Sequence, residues 1–173
     1  MVHIRPALPS DLPLLPEIER VAASLFAGWS ERLGFDPNGP IHVNSVENFR
    51  RGMENDRLIV AADASDVPVG FALMLAIDNN LHLEELDVLP EHGRKGIGRA
   101  LVMEVCEKGR REGYKGVTLS TFRDVPWNGP FYTSCGFQVL QPADLTHGLM
   151  AIVESERVVG LRVELRQIMR LVL

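Results

Sequence analysis

The sequence predicts a mixed α/β fold of the α+β type: a mostly antiparallel sheet with packed helices, in a single domain over residues 1–173. Three observations carry this expectation. Three strand-like runs, at residues 57–62, 68–77 and 81–89, follow one another across short polar turns, which favours antiparallel pairing. From Gly96 the apolar period changes, with Ile97, Leu101 and Val105 repeating every four residues and Val102 and Cys106 widening the stripe. Short strand and helix patterns then alternate, giving the order β-α-α-β-β-β-α-β-α-β with a further C-terminal helix and strand.

The first strand is Val2-His3-Ile4-Arg5, which alternates and stops at Pro6. Ser10 and Asp11 offer caps to a helix whose face is Leu14, Leu15, Ile18, Val21, Ala22 and Leu25. Residues 34–40, with two prolines and two glycines, read as a loop. Ser45 caps a second helix to Glu54, with Val46, Phe49 and Met53 on one side. After the three strands, the helix from Gly96 ends with Lys108, Arg110 and Arg111 near its negative dipole end and Gly113 as its stop. Residues 116–120 read as a strand, 128–135 as a short helix, 136–140 as a strand, 146–159 as a helix and 167–173 as a closing strand.

Composition narrows the function classes. A net charge of -5 argues against a general nucleic-acid binder, which needs a basic face. No run approaches the ~20 apolar residues of a membrane span, and the N-terminus lacks the pattern of a secretion signal. Cys106 and Cys135, the two cysteines, sit in apolar company and read as reduced, packed thiols, pointing to the cytoplasm. The five histidines, His3, His42, His82, His92 and His147, show no metal-ligand spacing, so no metal is expected.

The chemistry concentrates at Leu86-Asp87-Val88-Leu89-Pro90-Glu91-His92-Gly93-Arg94-Lys95-Gly96-Ile97-Gly98-Arg99. A strand enters a basic, glycine-containing turn that opens directly into an amphipathic helix. The first amides of a helix lack internal partners and carry partial positive charge, so a pyrophosphate is a natural ligand there. Gly96 and Gly98 permit close approach, and Arg94, Lys95 and Arg99 add charge. The order of residues fits neither the Walker loop nor the Gly-x-Gly-x-x-Gly fingerprint, since Leu101 stands at the last glycine position. A kinase glycine loop lies between strands, which excludes it as well. The remaining alternative is a tight turn whose glycines serve geometry alone.

This segment resembles motif A of the GNAT superfamily of N-acetyltransferases, Gln/Arg-x-x-Gly-x-Gly/Ala. Gly96 and Gly98 match the small positions, whereas Gly93 stands where Gln or Arg is usual, leaving open which side chain caps the phosphates. Asn128-Gly129-Pro130-Phe131-Tyr132-Thr133-Ser134-Cys135-Gly136-Phe137 is similar to motif B of the same family. The resemblance implies a twisted sheet with helices on both faces and acetyl-CoA as donor. It also implies that the backbone of residues 94–99 holds the pyrophosphate, that Val88 pairs with the pantetheine arm, and that an amide at or near Leu86 polarises the thioester carbonyl. By the same match Asn128 contacts the cofactor arm and Tyr132 lies near the sulfur.

Acetylation of an amine with pKa near 10.4, only ~0.1% neutral near pH 7.4, benefits from a base. Glu84 is the first candidate; Glu85, next in the strand, must face the other way, so only one of them meets the acetyl group. His82 shares the face of Glu84 and is a further candidate. The first helices and their loop suggest Phe26, Trp29, Phe35 and His42 as pocket residues by family likeness, with Asp124 a weaker contact for a cationic substrate. The expected acceptor is a small-molecule amine or peptide, with no membrane or nucleic-acid partner. The apolar end, residues 168–173, completes the sheet or pairs with a second copy in a homodimer. The competing reading is a non-catalytic acetyl-CoA sensor, which has no use for an acid and a base.

Overall fold

In the computed structural model, which describes residues 2–33 and 43–173, the apolar periods resolve into strands and helices in the expected order. The strands are β1 (His3–Pro6), β2 (Leu58–Ala62), β3 (Pro68–Ile77), β4 (Asn80–Val88), β5 (Gly116–Phe122), β6 (Gln138–Val139) and β7 (Arg166–Val172). The helices are α1 (Leu15–Ala23), α2 (Ser30–Leu33), α3 (Val46–Glu54), α4 (Ile97–Arg111), α5 (Gly129–Ser134) and α6 (His147–Val158). The strands form a mixed sheet in the order β1-β2-β3-β4-β5-β7-β6. Strands β4 and β5 run parallel, while β1–β2, β2–β3, β5–β7 and β6–β7 run antiparallel. The residues group into two compact units, Met1–Leu75 with Glu84–Glu104, and Ala76–Leu83 with Val105–Leu173.

The first unit is built on an apolar core of Leu12, Leu15, Ile18, Phe49, Leu58, Val60, Phe71 and Leu73. Phe49 and Phe71 meet edge to face at 5.0 Å, an arrangement worth about 1 kcal/mol beyond the area it buries. All five residues of β2 are buried, which explains why Leu-Ile-Val-Ala-Ala shows no alternation. Ser45 caps α3 as expected, its hydroxyl accepting from the Asn48 amide at 3.2 Å.

The predicted cap of α1 is corrected. The helix starts at Leu15 with Leu14 at its N-cap and no side-chain cap. Asp11 is buried instead against Arg5, with oxygens 2.6 and 3.2 Å from the guanidinium and one of them accepting from the Leu8 amide at 2.7 Å. A charged partner from β1 outcompetes the helix amides for this carboxylate, since charge-assisted bidentate contacts are the stronger kind. Beyond Ala23 the chain tightens into a 3-10 turn, Ser24–Trp29, before α2.

In the second unit β5 pairs with β7 along its whole length, from Gly116 with Val172 to Phe122 with Arg166. This ladder carries β5 two residues past the expected end. The strand expected at 136–140 shortens to Gln138–Val139, because Gly136 turns at φ +97° before the chain straightens. Thr146 caps α6 by accepting from the Leu149 amide, and its hydroxyl also bonds the Asp78 carboxylate. Cys106 is buried and Cys135 half-buried, and the two are not joined in a disulfide; burial pushes the Cys106 thiol up to about 11. No helix among the described residues is long and apolar enough to cross a membrane.

Candidate functional site

The glycine turn lies in the first unit, between the end of β4 and α4. The end of β4 is held against β3: the Leu89 amide donates to the Val69 carbonyl at 2.9 Å. A Cβ on Gly70 would fall 2.6 Å from the Asp87 carbonyl oxygen and 3.0 Å from Val88 Cγ2, so only glycine permits this approach. Pro90–His92 forms a 3-10 turn, after which the backbone enters the left-handed region twice, at Arg94 (φ +60°) and Gly96 (φ +82°).

Left-handed residues thus flank Lys95 on both sides, and backbone of this kind is what anion-binding nests are built from. Helix α4 then begins at Ile97, and its first internal bond is Ala100 N–H to Gly96 C=O at 3.0 Å. The amides of Ile97, Gly98 and Arg99 therefore have no acceptor within the helix. A Cβ on Gly96 would meet nothing within 4 Å, so the cradle opens on free space. Ile97 is buried and anchors the start of the helix. Arg94 and Arg99 are exposed; Lys95 donates to the Glu91 carbonyl at 2.8 Å, which leaves its charge beside the turn. Leu86, Val88 and Gly93 are half-buried.

The same unit gathers carboxylates. Glu84 is exposed, yet enough protein surrounds its carboxyl to raise it above the usual range by desolvation. Glu85 is half-buried. Asp87 is raised well above the carboxylate range, first by burial and then by the charges of Glu85 and Glu19. Glu19 sits on the buried face of α1 with Leu15, Ile18 and Ala22. Its two oxygens accept from the Asn44 backbone amide at 3.0 Å and the Asn44 side chain at 3.3 Å. Burial raises Glu19, the Asn44 hydrogen bonds oppose that, and Glu84 adds to it. Sequence reasoning passed over Glu19 and Asp87. The signal for Glu19 was a carboxylate inside an i, i+3, i+4, i+7 apolar stripe.

The second unit holds Asn128 and Tyr132. Asn128 is the N-cap of α5, and its side-chain oxygen accepts from the Phe122 amide at 3.4 Å, tying the helix start to the end of β5. Tyr132 is half-buried between the ring edges of Phe131 (5.0 Å) and Phe137 (5.8 Å). His82 is 2% exposed, with Nδ1 2.9 Å from the Thr118 hydroxyl. Burial, aided by the Arg166 charge, lowers its pKa to about 4, so the imidazole is neutral near pH 7. Phe26 and Trp29 are half-buried in the 3-10 turn, with Arg32 stacked 4.9 Å over the Trp29 ring. Asp124 is exposed beyond β5. Phe35 and His42 lie outside the described residues. No group of three or more His, Cys, Asp or Glu among the described residues is arranged to hold a metal ion.

The family model for the acetyltransferase (GNAT) family matches residues 25–137, a span that includes the turn, the carboxylates of β4 and α5. The chain belongs to the GNAT acetyltransferase family. Solved structures share the fold. The PaiA N-acetyltransferase of Thermoplasma acidophilum, solved with coenzyme A, is 21% identical, with a TM-score of 0.69 over 100% of this chain and 99% of that one. The ribosomal-protein-S18-alanine N-acetyltransferase of Escherichia coli is 18% identical, with a TM-score of 0.67 over 99% and 94% of the two chains. N-acetylglutamate synthase of Neisseria gonorrhoeae, solved with coenzyme A and N-acetyl-glutamate, is 17% identical with a TM-score of 0.70. It covers 98% of this chain but only 34% of its own length is matched.

Proposed function

We propose that this GNAT chain transfers the acetyl group of acetyl-CoA directly to a primary amine. The observation that carries the reading is the pair of left-handed residues, Arg94 and Gly96, set before a 15-residue helix whose first amides have no acceptor within the helix. A pyrophosphate satisfies those amides, and Arg94, Lys95 and Arg99 add charge around it. Two of the structural relatives were solved with coenzyme A, which supports the same donor here. The relatives are named for different chemistry, one as a ribosomal-protein-S18-alanine N-acetyltransferase and another as N-acetylglutamate synthase, so the acceptor does not carry over.

In this reading Val88 offers its backbone to the pantetheine arm, a β4 amide near Leu86 polarises the carbonyl, and Asn128 keeps its NH2 group for the cofactor. The arriving ammonium passes one proton to Glu84, whose desolvated carboxyl is a stronger base than a solvated one. The freed nitrogen forms a bond to the acetyl carbon as the carbon–sulfur bond breaks. Tyr132 protonates the departing thiolate and is restored by the second proton lost from nitrogen, so the balance is amide, free thiol and one released proton. Glu85 serves as base only if the strand presents that face. The compartment proposed is the cytoplasm, on the strength of two cysteines that are not joined in a disulfide.

The test is release of free thiol from acetyl-CoA over a panel of amines, polyamines, aminoglycosides, amino acids and short peptides. Turnover with one acceptor class, slowed at least tenfold by Tyr132→Phe, supports the reading. Calorimetric binding of acetyl-CoA with no turnover across the panel favours a sensor.

A further inference from the structure

We propose that Arg166 is a positioning residue for acetyl-CoA: it grips the end of β5, where Asn128 is anchored, and so aims the Asn128 amide without touching the cofactor itself. This rests on the acetyl-transfer reading above and on the cofactor contact proposed there for Asn128. The β4–β5 ladder ends at Leu83 with Leu119, yet β5 runs on to Phe122. The Arg123 amide donates to the Leu165 carbonyl at 3.0 Å, so the odd-numbered residues at this end of β5 turn their backbone groups towards β7. Strand alternation turns those of Ser120 and Phe122 the other way, beyond the last β4 partner. Backbone groups shielded from water need partners, and here two side chains supply them. Arg166 Nη2 donates to the Ser120 carbonyl at 3.2 Å, and Asn128 Oδ1 accepts from the Phe122 amide at 3.4 Å.

The guanidinium of Arg166 has little freedom to leave this place. Its Nε donates to the Ser120 hydroxyl at 3.3 Å, its Nη2 also donates to Glu156 of α6 at 2.9 Å, and its central carbon lies 4.6 Å over the Phe122 ring. The Arg166 and Glu156 side chains are only 14% and 12% exposed, so water competes poorly for either. The Arg166 carbonyl accepts from Arg123 Nη2 at 3.4 Å, which ties β7 to the residue after Phe122. That same Arg123 offers its carbonyl as the surface on which Gly129, the first residue of α5, closes. The start of α5 therefore rests on backbone that Arg166 grips at Ser120 and at the Phe122 ring. A planar guanidinium stacks on a ring and bonds oxygens in its own plane at once, which a lysine ammonium does not. A binding group must be held to within about 0.5 Å, so a β5 end that drifts misplaces the Asn128 amide.

The experiment is a double-mutant cycle on the affinity for coenzyme A, read by calorimetry. Arg166→Met is made together with Glu156→Met, since a lone carboxylate left nearly buried endangers the fold and an apolar pair of similar volume does not. The expected result is at least fivefold weaker binding in that variant and at least tenfold weaker binding in Asn128→Ala. With all three substitutions combined, affinity stays within twofold of Asn128→Ala alone, because Arg166 acts through Asn128. Arg166→Lys, which keeps a charge for Glu156, is expected to hold the thermal midpoint near the wild-type value yet to bind coenzyme A at least threefold more weakly. Wild-type affinity in the methionine pair, in Arg166→Lys or in Asn128→Ala overturns the proposal, and so do losses that simply add in the combined variant. Each of those outcomes leaves acetyl transfer standing, since the wild type still binds coenzyme A. A wild-type chain that binds none overturns the broader reading and this proposal with it.

Discussion

A Cβ on Gly129 would lie 2.4 Å from the carbonyl oxygen of Arg123, closer than any side-chain carbon tolerates. The first turn of α5 therefore packs directly on the backbone leaving β5, and Asn128 closes the same junction through its bond to the Phe122 amide. Gly129→Ala must displace one backbone or the other. The expected cost is about 1–3 kcal/mol, measured as a fall in the urea midpoint, with weaker acetyl-CoA binding if Asn128 moves with the helix. A wild-type midpoint for this variant would show that the junction yields freely.

Asp11 and Arg5 form the other junction that one substitution should break. Asp11 is buried and Arg5 nearly so, with Asp66 as a second, exposed partner of the guanidinium. Removing one partner of a buried pair costs roughly 3 kcal/mol or more, and Asp66 keeps the loss at the lower end of that range. Asp11→Ala is expected to lower the thermal midpoint by several degrees, whereas Asp66→Ala changes it little.

The carboxyl of Asp87 makes a signed prediction about pH. Its value is raised in the fold, so the folded chain keeps the proton while the unfolded chain, titrating near 4, has released it. Stability contributed by this group is thus greatest at low pH and falls as pH rises from about 4 through the folded value. Asp87→Asn removes that fall. The variant is expected to gain stability over wild type at pH 7–8, with the difference shrinking towards pH 4. Denaturant titrations across that range measure it, and a constant difference contradicts the assignment.

His82 works in the opposite sense. Its folded value, about 4, lies below the ordinary 6.5, so the unfolded chain binds the proton first. The stability this group contributes is complete above 6.5 and is lost as pH falls towards 4, a change on the order of 3 kcal/mol. His82→Asn should flatten the wild-type loss across that window, whatever it does to stability at pH 7. Comparing the two slopes, not the two midpoints, tests this.

What the sequence made legible follows from how local each signal is. The three strands, the Ser45 cap and the turn into α4 depend on residues within a few places of one another, and all are found. The cap of α1 was misread because Asp11 is claimed by Arg5, a partner from another element. The shortened strand at Gln138–Val139 reflects the left-handed Gly136, a backbone choice that composition does not announce. Glu84 and the basic turn were visible by spacing and likeness. Glu19 and Asp87 were not, because what distinguishes them is desolvation and like charge brought together by folding.

The most direct measurement is a calorimetric titration of the chain with acetyl-CoA, repeated on Gly96→Val. Gly96 has φ +82° with open space where its Cβ would stand, so valine strains the backbone and fills the cradle without touching the core. One-to-one binding by the wild type, weakened at least tenfold in the variant while the fold persists, is the expected result. Saturable binding that Gly96→Val leaves unchanged, or no binding by the wild type, contradicts the placing of the pyrophosphate on this turn.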